Sequence, residues 1–309
     1  MTMSDNNRMG RLESVLRAGH FALTAETTPP DAATPEAVLR KAGCLKGLAD
    51  AVNVTDAAGA RAHMSALPAS AILAREGIEP VLQFTMRDRN RIAMQGDLIG
   101  GAALGIPNVL ALYGDDPKGG DQPDTKPVHD IDGRQFLAMA KGMREGALPS
   151  GRKIEPAPKL FLGAADTPRE PDAKWKADGL IAKLDAGADF IQTQYCFDMA
   201  MLRRYMKALA DHGIPERAFI LIGIGPLASA KGARWMNENL HGVHVPEPLI
   251  ERLDKAQDQA AEGRRICVEL LHELTDIPGV AGAHLMAPRG EQGAADAIAE
   301  SGLIAKRAA

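Results

Sequence analysis

The sequence predicts an α/β fold in which eight parallel strands alternate with helices and close into one barrel. Three observations carry that expectation. Short β-rich apolar runs alternate with longer stretches of helical periodicity from one end of the chain to the other. The runs number eight, and strict β–α alternation implies parallel pairing with right-handed crossovers. The alternative, an open doubly wound sheet, normally carries a GxGxxG after an early strand, whereas the nearest match here, Gly223-Ile224-Gly225, runs into Pro226.

The elements follow in order. Strands are expected at Phe21–Glu26, Ala51–Thr55, Pro80–Thr85, Asn108–Gly114, Lys159–Ala165, Phe190–Gln194, Phe219–Ile224 and Ala283–Ala287. Amphipathic helices are expected between them at Pro35–Leu48, Ala62–Arg75, Arg91–Leu104, Gln135–Glu145, Ala173–Ala186, Met199–Asp211 and Ala228–Glu238. The interval Pro246–Leu274 reads as one long extra helix near the C-terminus, with Leu249, Leu253, Ala256 and Ala260 on one face. One long polar loop, Asp115–Asp130, follows the fourth strand, and loops of that length in compact domains are commonly functional or disordered. The expectation is a (β/α)8 TIM barrel, with residues 1–309 as a single catalytic domain and residues 1–18 as a helical or flexible extension.

Composition limits the function. Of 309 residues, 45% are hydrophobic and 25% charged, a balance that supports a sizeable core. A net charge of −4 gives no general attraction to nucleic acid or an anionic membrane. Aromatic residues make up 4%, too few for a base-stacking platform. The three cysteines, Cys44, Cys196 and Cys267, are far apart and lack CxxC spacing, against a disulfide framework or a zinc site. His241 and His244 lie three apart in a turn, which is no metal spacing. The first residues show no apolar signal region and no later stretch approaches a membrane span, so a cytoplasmic location without membrane or nucleic-acid partners is expected.

In a barrel the chemistry gathers at the C-terminal ends of the strands. Those ends carry Glu26, Thr55-Asp56, Gln83 and Thr85, Tyr113-Gly114-Asp115, Asp166, Gln192 and Gln194, and Pro288-Arg289. Any one of them also fits a strand emerging into solvent; as a set they converge on one mouth. Glu26 ends an apolar strand before Thr27-Thr28-Pro29-Pro30, and a partly desolvated carboxyl there could serve as a general acid. Asp115 follows Gly114, where a missing side chain lets backbone approach a planar ligand, and its carboxylate could stabilise cationic character. The other reading of Asp115-Asp116-Pro117 is turn capping, a role that suits Asp116 better. The run Arg87-Asp88-Arg89-Asn90-Arg91 reads as a phosphate or partner contact, or as a solvated first helical turn. Lys183, before the sixth strand, is placed to reach a phosphate or is an ordinary surface lysine.

From about Phe21 to Leu303 the chain also resembles the methylenetetrahydrofolate reductase family. The resemblance lies in TAETTPP (24–30), VNVTD (52–56), FTMRDRNR (84–91), LGIPNVLALYGDDP (104–117), KLDAGADFIQTQYCFD (183–198), IGPLAS (224–229) and MAPRGE (286–291). It implies a (β/α)8 barrel with non-covalent FAD that takes a hydride from NADH or NADPH and passes it to 5,10-methylenetetrahydrofolate, giving 5-methyltetrahydrofolate. By motif, Glu26 matches the family's general acid and Asp115 the aspartate of its GD pair. Gln194 matches a pterin- or nicotinamide-binding glutamine. Arg289 matches an arginine that meets the acidic tail of folate, where a planar guanidinium suits a carboxylate. The flavin would contact Thr55, Tyr113, Gly114, Asp115 and Lys183, with Gln83 and Ala165 on the same wall and His129 and Asp130 beside the adenosine. The family commonly forms dimers or tetramers of identical chains.

The match has gaps. Gln83 stands where bacterial members carry histidine, Tyr113 where many carry arginine, and Tyr195-Cys196 where a double phenylalanine begins. Ala165-Asp166-Thr167-Pro168 replaces the Tyr-Pro and His of the fifth-strand loop. Three functions stay open on the sequence: the reductase, run in either direction; a folate- and flavin-binding subunit that takes electrons from a partner protein; and another flavin barrel such as a proline dehydrogenase.

Overall fold

Side chains alternate across a strand, so a barrel strand shows every second residue to the inside. The computed structural model describes residues 9–172, 175–288 and 290–307. Its strands are β1 (Ala22–Thr27), β2 (Ala51–Val54), β3 (Pro80–Thr85), β4 (Asn108–Leu112), β5 (Phe161–Asp166), β6 (Phe190–Tyr195), β7 (Phe219–Ile224) and β8 (Val280–Leu285). Each pairs in parallel with the next, and β8 returns to β1 through Ala22↔Gly282 to Ala25↔Leu285, which closes the barrel. The predicted class is therefore the observed one.

The helices are α1 (Arg11–Arg17), α2 (Pro35–Ala42), α3 (Ala66–Arg75), α4 (Arg91–Ala103), α5 (Gly133–Arg144), α6 (Asp178–Asp185), α7 (Met199–Asp211), α8 (Ala230–Asn239), α9 (Glu247–Lys255), α10 (Gln259–Thr275), α11 (Glu291–Ser301) and α12 (Leu303–Lys306). Local chemistry sets their ends. Asn90 accepts from the amides of Ile92 and Ala93 to start α4, and Asp132 with Gln135 forms a capping box on α5. The long helix predicted over 246–274 is two helices. Asp258 accepts from the Ala261 amide at 2.9 Å and starts α10 afresh, leaving α9 to end at Lys255. The sequence predicts β4 through Gly114; the ladder stops at Leu112, and Gly114 turns the chain at φ +95°. The helix predicted from Ala173 starts at Asp178; residue 173 lies outside the described residues.

Inside the barrel the layers differ in polarity. The bottom layer is apolar: Ala22, Ala51, Val81, Leu110, Phe161, Phe190 and Leu221 form one buried cluster with Leu12 and Leu16 of α1. Phe161 and Phe190 stack at 4.9 Å, and Gly163 is the space they need, since a Cβ there would sit 2.3 Å from the Phe190 ring. Leu12 and Leu16, 0% and 2% exposed, plug the foot and contribute roughly 1.5–3 kcal/mol each. The fully buried Asp50 carboxylate ties that foot together. It accepts from the Leu23 amide at 2.8 Å, from Arg11 Nε at 3.3 Å and from Arg307 Nη1 at 2.7 Å. A second, larger apolar core lies between the barrel and its helices.

Candidate active site at the mouth of the barrel

Moving two residues up β1, β2, β3 and β6 from the apolar layer brings a change to polar side chains, and β8 adds His284. Thr24, Asn53, Gln192 and His284 are at most 3% exposed. They are bonded to one another: Gln192 Nε2 donates to Thr24 Oγ1 at 3.1 Å and to Asn53 Oδ1 at 3.2 Å, and Thr24 Oγ1 lies 3.0 Å from His284 Nδ1. Two residues higher again stands Glu26. Its Oε2 accepts from Gln83 Nε2 at 2.8 Å and lies 3.6 Å from His284 Nε2, with the side chain 21% exposed. Glu26 is thus the carboxylate of β1 that reaches the mouth while held from β3 and β8. Beside it, the Tyr195 hydroxyl donates to the Met286 carbonyl at 2.9 Å. Burial first, and the Glu26 charge second, push its pKa well above the ordinary phenol value, so Tyr195 keeps its proton.

A second sector of the mouth is built on β4 and β5. Asp115 is exposed; its Oδ2 accepts from the Gly59 amide at 2.7 Å, and its carbonyl accepts from Arg87 Nη1 at 3.0 Å. Gly114 has no room for a side chain, since a Cβ would come 2.9 Å from Arg87 Cβ. Tyr113, 67% exposed, stacks on His129 with centroids 4.4 Å apart. Asp130 accepts from the Arg91 amide at 3.0 Å, at the start of α4. The Ala165 carbonyl accepts from Lys183 Nζ at 2.6 Å. Burial lowers the pKa of Lys183, and the charge of Asp166 only partly opposes it. Tyr113, Asp132, Arg134, Leu137, Ala165 and Lys183 line a pocket of about 410 Å³ here. Thr55 is buried at the end of β2 with its Oγ1 unpartnered, as is the buried Nδ1 of His129.

A third pocket, about 480 Å³ and mostly apolar, opens on the β6–β8 side against Tyr195, Phe197, Leu227, Trp235, Met236 and Ala287. A larger cavity, about 670 Å³, lies at the foot of the barrel beside Met9, Ile106 and Pro156. Of its two carboxylates, Glu79 is already engaged by the Leu12 amide and Asn108 Nδ2, and Glu155 is exposed.

The arginine run divides: Asp88, Asn90 and Arg91 are exposed around the first turn of α4, whereas Arg87 and Arg89 turn inward and are paired. Arg87 is 3% exposed and reaches Asp88, the Asp115 carbonyl and the Ala57 carbonyl. Arg89 grips Asp56 through both terminal nitrogens, at 2.7 and 3.0 Å, and lies 4.5 Å from the centre of the Phe84 ring. Asp56 also accepts from the Thr85 amide and hydroxyl, so this ion pair locks the ends of β2 and β3 together. Asp166 accepts from the Tyr205 hydroxyl. Gln194 turns back, its Oε1 accepting from the Tyr195 amide at 2.9 Å. Arg289 lies outside the described residues. The Cys196 and Cys267 thiols are pushed up to about 12 by burial, which leaves them protonated and unreactive.

Sequence reading by strand ends finds Glu26, Gln83 and Gln192 but misses Thr24, Asn53 and His284. Their signal is the period of two. Thr24 stands two before Glu26, Asn53 two before Thr55 and His284 two before Met286, each a polar residue inside an apolar run.

Fold and mouth together define the class: a (β/α)8 barrel with its titratable side chains gathered where such barrels keep their sites. Within that class the chain belongs to the methylenetetrahydrofolate reductase family, whose model matches residues 11–302. A probable methylenetetrahydrofolate reductase (NADPH) of Caenorhabditis elegans is 27% identical over 217 residues, covering 68% of this chain and 30% of the relative. Methylenetetrahydrofolate reductase 2 of Schizosaccharomyces pombe is 27% identical over 265 residues, covering 81% of this chain and 40% of the relative. The chain therefore spans less than half the length of these two curated relatives. Among solved structures, an uncharacterized protein from Clostridium thermocellum, described as binding two copies of 5-methyl-5,6,7,8-tetrahydrofolic acid, shares the fold. Its TM-score is 0.60 at 15% identity, covering 94% of this chain and 98% of that one. Among the described residues no helix is long and apolar enough to cross a membrane.

Proposed function

We propose that this chain is a flavin-dependent methylenetetrahydrofolate reductase. In this reading it reduces 5,10-methylenetetrahydrofolate to 5-methyltetrahydrofolate at the expense of NADH or NADPH, and residues 1–309 act as one catalytic barrel domain. The observation that carries the reading is Glu26. In a chain of this family, the β1 carboxyl group at the mouth is held by Gln83 at 2.8 Å and faces His284 at 3.6 Å.

Glu26 is the proton donor. It gives its proton to the folate nitrogen as the five-membered ring opens, and the carboxylate left behind keeps the Gln83 amide as a donor. Asp115, exposed across the mouth, supplies negative charge opposite the cationic carbon that receives the hydride. Gln194 and Arg289 are assigned to the folate, and the apolar pocket at Tyr195, Phe197 and Trp235 has the character to take its aryl group.

The residues of the second sector fit FAD. The unpartnered Thr55 hydroxyl lacks a bond that a ligand can supply. The half-buried Lys183 ammonium, its pKa lowered by burial, suits a phosphate. Gly114 leaves bare backbone at the pocket edge. Thr55, Gln83, Tyr113, Gly114, Asp115, Ala165 and Lys183 would hold the cofactor, with His129 and Asp130 at its adenosine end. When bound, FAD supplies a two-electron carrier between nicotinamide nucleotide and folate.

The test is an absorbance spectrum of the pure protein followed by anaerobic titration with each nucleotide. Flavin absorbance bleached by NADH or NADPH and restored by methylenetetrahydrofolate is expected. Bleaching from the other side, by 5-methyltetrahydrofolate reducing the flavin, would identify the oxidative direction used in demethylation. A colourless protein that cannot be reconstituted with FAD and shows no turnover overturns the reading. A second reading, a folate- and flavin-binding subunit fed by a partner, is favoured by Tyr113, which brings an aromatic ring rather than a cation to the flavin side. It predicts folate binding without nucleotide oxidation.

A further inference from the structure

The side chains of the polar layer beneath Glu26 bond to one another, so the protons along the row can be followed. Buried polar groups need partners, and each amide, hydroxyl and imidazole has a fixed number of donors. The Asn53 and Gln192 amides pair twice, Asn53 Nδ2 donating to Gln192 Oε1 at 2.6 Å and Gln192 Nε2 to Asn53 Oδ1 at 3.2 Å. The second hydrogen on Gln192 Nε2 goes to Thr24 Oγ1 at 3.1 Å. Thr24 therefore already accepts, and its own hydrogen is free to donate. The nearer acceptor is His284 Nδ1 at 3.0 Å; the Ala283 carbonyl is at 3.4 Å. With Nδ1 accepting, a neutral imidazole carries its hydrogen on Nε2, which faces Glu26 Oε2 at 3.6 Å. Turning both amides end over end would reverse every donor in the row and set the Nε2 lone pair against the carboxylate. The carboxylate that Glu26 becomes on giving up its proton is matched by the first arrangement and opposed by the second.

We propose that Gln192, Asn53 and Thr24 are positioning residues that hold His284 as the Nε2–H tautomer, with that N–H aimed at the Glu26 carboxylate. The inference rests on reading Glu26 as the proton donor. Once Glu26 has given up its proton, the new carboxylate already holds the Gln83 Nε2 donor and faces His284 Nε2–H, so a small closure rather than a change of rotamer completes its stabilisation. The 3.6 Å separation is the kind of loose contact that tightens when a site is loaded. The amide pair acts through His284, lies a layer below the mouth and has no surface for a ligand to touch.

The tautomer can be read directly. In protein labelled with ¹⁵N-histidine, long-range ¹H–¹⁵N correlation at neutral pH separates Nε2–H from Nδ1–H, and His284→Asn identifies the signal among the eight histidines. His284 is expected as Nε2–H in the natural protein and in Thr24→Ser, which keeps the hydroxyl. Turnover with methylenetetrahydrofolate is then expected to fall roughly tenfold to a hundredfold in Thr24→Val and Gln192→Leu, a part of the ~10²–10⁴ that general acid catalysis supplies. The folate KM and menadione-linked nucleotide oxidation should stay unchanged, and Thr24→Ser should retain the natural rate. An Nδ1–H signal in the natural protein overturns the proposal. So does an unaltered folate rate in both variants, or an equal loss in both half-reactions, which marks a structural role only. If the natural protein shows Nε2–H but no reductase turnover, the assigned function fails while the tautomer stands.

Discussion

Two sectors of the same mouth are built on opposite plans. Around Glu26, on β1, β3, β6 and β8, the polar side chains bond mainly to one another: Gln83 to Glu26, Gln192 to Thr24 and Asn53, Thr24 to His284. Around Tyr113 and Lys183, on the side of β2, β4 and β5, polar groups stand partly unmatched. Thr55 Oγ1 and His129 Nδ1 have no partner, Lys183 is half-buried at a cost to its charged form, and Tyr113 lies two-thirds exposed. A buried polar network that satisfies itself needs no ligand and is rigid before one arrives; an unsatisfied wall gains from a ligand that completes it. The contrast suits one sector to proton chemistry, where geometry must be ready in advance, and the other to holding a large group.

That division can be broken or sharpened by substitution. The largest effect is expected of Glu26→Gln. It should lower turnover with methylenetetrahydrofolate by about 10²–10⁴ and leave flavin reduction by NAD(P)H intact. Loss of both half-reactions in stopped-flow traces would show that the two sectors do not divide the work. Next comes Gly114→Ala. At φ +95° and with Arg87 Cβ 2.9 Å from the new methyl, it should destabilise the fold by about 1–3 kcal/mol, read from urea midpoints. FAD retention should suffer more than folate binding, because the displaced backbone leads into Asp115. The smallest effect, roughly tenfold in cofactor affinity, is expected of Lys183→Met, in line with losing one buried charge-assisted contact. Its sign with pH is fixed. The lysine pKa lies below its ordinary value in the free protein, and an adjacent phosphate would raise it again. Binding therefore takes up protons, and affinity should weaken as pH climbs from the lowered value toward the ordinary lysine range. Fluorescence titration of the apoprotein across that window checks it, and Lys183→Met should flatten the slope.

Much of this was legible in the residues themselves. Barrel closure follows from the β–α alternation, and Glu26, Gln83 and Gln192 follow from looking where strands end. Other features depend on packing. His284, Asn53 and Thr24 sit mid-strand, where a local pattern cannot distinguish a polar side chain turned into the barrel from one turned against a helix. Arg87 and Arg89 read as surface charges because five polar residues in a row suggest solvent. Only the fold brings Asp56 of the β2 loop and the Asp115 carbonyl against them. The break between α9 and α10 is marked by Asp258 alone, a weak signal inside a continuous apolar period.

The foot of the barrel has a consequence for the mouth. Arg11 at one end and Arg307 at the other both close on Asp50, and the Leu23 amide of β1 joins them there. The hoop is clamped at the rim farthest from the chemistry, by a carboxylate that shares no bond with Glu26, Asp115 or Lys183. Loops at the opposite rim can therefore lengthen, shorten or exchange residues without loosening the hoop. Departures such as Tyr113 and Gln83 are changes of fittings on a frame that is fastened elsewhere.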